Sequence, residues 1–118
     1  MKYLLTIYSD ESLWKDFSEE YTAAWIGRYV DLVEELKEEG VFLGAERLLD
    51  VHSATSVKVR DGKTLITDGP FAETKEQLGG YFLVDCRDLD HALEIARKIP
   101  SSEIGTIEVR PLWYQDEQ

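Results

Sequence analysis

Cysteine is almost absent. Cys86 is the single one in 118 residues, so no internal disulfide can form, and the chain fits a reducing, cytoplasmic setting. Long apolar runs are missing too: no stretch approaches the roughly 20 residues of a membrane-spanning helix. The opening Met1-Lys2-Tyr3-Leu4-Leu5-Thr6-Ile7-Tyr8 carries too short an apolar run for a secretory leader. Positive charge is scarce, with 13 Lys and Arg against 24 Asp and Glu and a net charge of −11. Neutralising phosphates needs clustered bases, so this balance excludes nucleic acid as a direct partner and argues against an anionic membrane surface. The two histidines and one cysteine have no zinc-ligand spacing, and no glycine-rich phosphate loop occurs, so neither a metal nor a cofactor is expected. Repeats, low-complexity tracts and linkers are absent as well.

What remains is an ordinary globular composition, 43% apolar and 31% charged, expected to form a single domain over residues 1–118. A chain of this length buries roughly two-thirds of its unfolded surface without help from metal or disulfide.

Residues 2–8 place apolar or aromatic groups on both alternate sets, which predicts a strand with two buried faces. Asp10 to Phe17 reads as a polar connector. Ser18 is an N-cap with Glu19 and Glu20 in the first turn, and Trp25, Ile26, Tyr29, Leu32, Val33 and Leu36 then recur at helical spacing until Gly40. A second strand is expected over 41–48. Thr55, Val57 and Val59 alternate with polar residues before Asp61-Gly62, which predicts a hairpin whose register sets Val59 against Thr64, Val57 against Ile66 and Thr55 against Asp68. Strands are expected at 81–86 and 104–110. Between them Asp88 caps a helix with a Leu89, Ala92, Leu93, Ala96 and Ile99 stripe, stopped by Pro100.

The order predicts an α+β fold, βαβ–βαβ with an inserted hairpin and a mainly antiparallel sheet. Two helices cover only one sheet face. Strands apolar on both faces therefore call for a second copy of the chain, a homodimer, over the other.

The segment from Thr67 to Tyr81 carries the most information. In Asp68-Gly69-Pro70 the usual Asp turn fails, because the residue two positions on is Pro70 and has no N–H. Asp68 must then bond Phe71 N–H, a more distant group or water. The hairpin register puts it on the face of Val57 and Ile66. A carboxylate at the rim of an apolar cavity has a raised pKa and suits acid/base work, with Glu73 and Lys75 near enough to adjust its charge. The other reading of the segment is a turn followed by a polar loop.

The run Asp68-Gly69-Pro70-Phe71-Ala72-Glu73-Thr74-Lys75-Glu76, continuing through Gly79-Gly80-Tyr81, closely resembles the signature of the DGPF group within the YCII-related proteins. The likeness extends nearly end to end, through Lys2-Tyr3-Leu4-Leu5, Gly44-Ala45-Glu46-Arg47-Leu48, Thr55-Ser56-Val57 and Glu108-Val109-Arg110-Pro111-Leu112-Trp113. It implies a ferredoxin-like fold pairing into a dimeric α/β barrel. DGPF-type domains occur beside or fused to extracytoplasmic-function sigma factors, which implies a part in transcriptional control. The wider family resembles muconolactone isomerases and includes a chloromuconolactone dehalogenase with a proposed His–Asp active site. Asp68 matches the Asp of that pair. The histidines of this chain, His52 and His91, lie outside any stretch matching the His motif.

His52 is read as a solvated loop residue or a proton shuttle near Asp68, His91 as a surface residue, and Cys86 as a small core residue. Glu108 and Arg110 share a strand face. They form an ion pair there, or Arg110 holds a substrate carboxylate in a bidentate fork; Glu46 and Arg47 raise the same two options. Trp25 and Tyr29 are assigned to the core, and the acidic residues Asp31, Glu34, Glu35, Glu38 and Glu39 to a solvated helix face.

Two functions fit these residues. One is a dimeric small-ligand-binding or regulatory module, taking a small organic acid or contacting a sigma factor or other protein. The other is a cofactor-free enzyme acting on a small organic acid or lactone, with Asp68 as general acid/base, His52 as its partner, and Phe71, Glu73, Lys75, Glu108 and Arg110 as substrate contacts.

Overall fold

A computed structural model describes residues 1–114 of the chain. The elements run β1 (Lys2–Ser9), α1 (Glu19–Glu38), β2 (Phe42–Arg47), β3 (Thr55–Arg60), β4 (Lys63–Asp68), β5 (Gln77–Asp85), α2 (Leu89–Lys98) and β6 (Thr106–Pro111). Four strands form one sheet in the order β2-β5-β1-β6, every neighbouring pair antiparallel, and β3 and β4 form a separate two-stranded arm. The fold is α+β with an antiparallel sheet, and the strand order agrees with a ferredoxin-like βαβ–βαβ arrangement.

Local chemistry accounts for most boundaries. The Ser18 hydroxyl accepts the Tyr21 N–H at 3.0 Å and starts α1, and Gly40, at φ 77°, closes it. Asp88 caps α2 by accepting the His91 N–H at 2.9 Å. Asp61 and Gly62 both have positive φ (52° and 75°), as a two-residue hairpin turn demands, and the β3–β4 register is the one read from the sequence.

Three local expectations are corrected. Residues 10–17 are not a plain connector: Asp10 caps a 3-10 helix over Glu11–Asp16, and Trp14 and Phe17 pack edge-on at 4.9 Å. Strand β5 starts at Gln77, four residues before the expected start, because Gly80 pairs with Ile7 of β1 and Arg47 of β2, and Leu78 and Gln77 continue the ladder to Tyr8 and Ser9 past a bulge at Gly79. His91 is not a surface residue. It is 6% exposed, its Nδ1 accepts the Arg87 N–H at 3.1 Å and its Nε2 lies 3.8 Å from Glu39. The buried stripe of α2 is therefore His91, Ala92, Ile95, Ala96 and Ile99, with Leu89 and Leu93 outside.

Both helices lie on one face of the sheet, over Tyr3, Leu5, Ile7, Phe82 and Val84. Cys86 belongs to that core, and burial pushes its thiol up to about 11, so it stays protonated and unreactive at neutral pH. On the opposite face Leu4, Tyr8, Tyr81 and Leu83 are half-buried, where two buried faces had been expected. The Cα trace is only 18 Å thick against 47 by 46 Å across, which leaves room for one helix layer over the sheet and none beneath it. The arm stands away from the sheet, with Val57 and Ile66 of its apolar face 64% and 68% exposed.

Candidate functional site

Alpha-helix α1 has 20 residues and spans about 30 Å at 1.5 Å per residue, longer than the six-residue β2 beneath it. Its C-terminal half seals onto the core through Leu32 and Leu36. Under the rest of the helix two of the sheet positions that line the space are small, Ala45 on β2 and Gly80 on β5. Gly80 cannot be larger, because a Cβ there would come within 2.6 Å of the Glu46 carbonyl oxygen across the ladder. The helix and this low floor leave an open cavity of about 470 Å³. That volume lies within the range of ligand pockets, roughly 300–1,000 Å³.

The walls are largely apolar. Ile26, Val30 and Val33 come from α1, and Ile7 and Phe82 from the sheet. Trp14 closes one end, so the 3-10 helix missed in the sequence builds part of the wall. Its ring packs edge-on against Trp25 at 5.9 Å. Phe17 and Tyr21 extend the aromatic cluster behind it.

A few polar groups converge on this space. The Tyr29 hydroxyl shares a 2.6 Å hydrogen bond with Ser101, and burial raises the phenol above its ordinary range. Ser9 is buried and lines the cavity, with no hydrogen bond from its hydroxyl to the described residues. Trp25 is 4% exposed, and its buried indole N–H has no acceptor among the described residues. At the mouth the Arg47 guanidinium sits 5.8 Å from the Trp14 ring centre and has no ion pair among the described residues. The Glu11 carboxylate is already engaged, accepting the Val51 N–H at 3.1 and 3.3 Å. Along β2, Ala45 and Arg47 face the helices, and Glu46, between them, alternates to the other face.

Of the site residues read from the sequence, Glu46 and Arg47 line this cavity, whereas Asp68, His52, Phe71, Glu73, Lys75, Glu108 and Arg110 do not. Asp68 is exposed at the end of β4, and its carboxylate has no hydrogen bond or ion pair with the described residues, neither to Phe71 N–H nor to a more distant group. The bend is held instead through Gly69, whose N–H bonds the Ala54 carbonyl at 2.7 Å and whose carbonyl accepts the Ser56 hydroxyl at 2.8 Å. Phe71 is 87% exposed, and Glu73 and Lys75 are exposed beside it. The Asp10 carboxyl is held below its usual range first by hydrogen bonds from Ser12, with Lys75 and Lys15 adding charge, so Lys75 lies near Asp10.

His52 is exposed on a short 3-10 turn, Val51–Ser53, whose N–H bonds Asp50. Glu108 and Arg110 pair with each other at 2.9 Å on the helix-free sheet face. Among the described residues there is no cluster of His, Cys, Asp and Glu able to hold a metal. No helix among them is long and apolar enough to cross a membrane.

The cavity-lining residues were largely assigned to the core or to a connector in the sequence. The signal available was Leu13-Trp14 and Phe17, large apolar groups inside a stretch otherwise polar. Arg47 was raised as a carboxylate holder, but nothing local showed which face of β2 it takes.

A family model described as the YCII-related domain matches residues 1–115. An uncharacterised protein of Rhizobium meliloti (strain 1021) is 37% identical over 114 residues, covering 95% of this chain and 92% of that protein. A match over nearly the whole length, on both counts, is a match of the entire fold and not of the Asp68 segment alone. The chain belongs to the YCII-related domain family.

Proposed function

We propose that the protein is a dimeric module that binds a small organic ligand. One observation carries this reading: the apolar cavity under α1, with a few convergent polar groups at its edge. The dimer half rests on the helix-free sheet face. Each Leu or Tyr buried there by a second copy contributes roughly 1.5–3 kcal/mol, and a self-complementary face is most simply covered by a twin. The pairing would form the dimeric α/β barrel. A regulatory role, coupled to sigma-factor-dependent transcription through protein contacts, follows from the family resemblance.

The enzymatic alternative places general acid/base chemistry at Asp68. It requires a positive side chain and a histidine within reach of that carboxylate, and the exposed, unpartnered position of Asp68 favours binding over catalysis.

Two measurements test the proposal. Sedimentation equilibrium at micromolar concentration is expected to give twice the chain mass of 13.6 kDa, and a species of 13.6 kDa would contradict the dimer. Asp68→Asn is expected to remain a folded dimer with ligand affinity within about twofold of the parent, since an exposed, unpaired carboxylate contributes little. Catalytic turnover by the parent that is lost in this variant would favour the enzymatic reading instead.

A further inference from the structure

We infer that the cavity under α1 takes a small aromatic monocarboxylate, with Arg47 as the residue that holds its carboxylate. This rests on the reading of the cavity as a ligand site and adds its specificity. The unpaired polar groups are mostly donors. The Trp25 indole N–H can only donate, and it is buried without an acceptor. Arg47 brings a guanidinium, a fork of N–H donors with no acceptor, matched in shape to a carboxylate.

Its isolation is informative. Among the described residues Arg28 and Arg110 have carboxylate partners, at 2.6 and 2.9 Å, whereas Arg47, like Arg60, Arg87 and Arg97, has none; of these four, Arg47 is the one that lines the cavity. The acidic groups around the mouth do not fill that place. Glu11 accepts from Val51, Asp50 accepts from His52, Glu34 lies 3.8 Å from Lys37, and Glu46 forms no ion pair with Arg47. Arg47 is also near enough to the buried Tyr29 phenol to favour negative charge there, so its field reaches into the cavity.

The remaining lining selects the body of the ligand. Trp14, Trp25, Tyr29 and Phe82 present rings, and Ile26 and Val30 present aliphatic surface that is otherwise wet. An anion with an aromatic body places its carboxylate on Arg47 and its ring among these side chains. Ser9 and the Trp25 N–H remain as further donors to a second oxygen.

The test is calorimetric titration of the full chain with 2-naphthoate and with its neutral analogue 2-naphthamide, repeated on Arg47→Gln. Arg47 is exposed, so the substitution leaves the core untouched. The expected result is that the parent binds the acid more tightly than the amide. Arg47→Gln should then weaken the acid about tenfold and leave the amide unchanged, as loss of a charged hydrogen bond predicts. If acid and amide bind alike, or the variant binds both as the parent does, the carboxylate assignment is overturned while the cavity stands as a ligand site. If neither compound binds the parent, the aromatic assignment falls, and the reading of the cavity as a ligand site falls with it.

Discussion

Gly105→Ala is expected to destabilise the fold by about 3 kcal/mol or more, at or above the top of the usual range for overpacking. Gly105 joins the 3-10 turn Pro100–Glu103 to β6, and its N–H bonds the Ser101 carbonyl at 2.8 Å. A Cβ at this position would overlap the Tyr8 carbonyl oxygen and come within 3.0 Å of the Ser9 Cα and Cβ. Those atoms cannot step aside. Tyr8 is paired with Leu78 on one side and Thr106 on the other, so moving it breaks the ladder of a central strand. A melting temperature lower by on the order of 10 °C is the expected readout. Gly44→Ala is the control, since a Cβ there meets nothing within 4 Å and no loss is expected. A Gly105→Ala variant as stable as the parent would show that β6 does not pack against β1 as described.

Ala45→Phe is expected to abolish ligand binding and leave the fold intact. Ala45 lies directly opposite Phe82 on the helix-facing side of β2 and forms part of the cavity floor. A benzyl group there occupies space that is already empty, so it strains no rotamer and adds apolar contact with Phe82 and α1. Ligand affinity for 2-naphthoate should fall by more than about tenfold, more than 1.4 kcal/mol of lost contact. The melting temperature should not fall. Binding that survives in Ala45→Phe would place the ligand elsewhere, with the Asp68 loop the first alternative.

The fold was legible wherever a local residue dictates geometry. The Asp61-Gly62 pair set the hairpin register, and Ser18 and Asp88 set the starts of both helices. It was less legible where tertiary contact overrides residue type. His91 reads as polar, but its ring accepts the free Arg87 N–H and faces Glu39, so burying it costs little and α2 turns about one position from the stripe its leucines suggest. Gly79 and Gly80 read as a loop because glycine is a poor strand former, yet the close approach of β2 requires Gly80 within β5.

The site was the least legible part. A cavity is the space between elements, and its walls here come from residues 7 to 101, most of which read individually as core. The Asp68 run, by contrast, announces itself in the sequence through a glycine, a proline and an acid in an uncommon order. The structure explains its glycine and hairpin contacts as anchors for the arm, held by Ala54 and Ser56.

The indole N–H of Trp25 gives the most direct test that the space under α1 is the binding site. The chain has three tryptophans, Trp14, Trp25 and Trp113, so its indole region in an isotope-labelled NMR spectrum resolves into three signals. On titration with 2-naphthoate, the account predicts that the Trp25 signal shifts as its proton gains an acceptor. The Trp14 signal should move with it, while Trp113 and the amides of residues 68–75 stay in place. Shifts confined to residues 68–75, with the Trp25 indole unmoved, would contradict it.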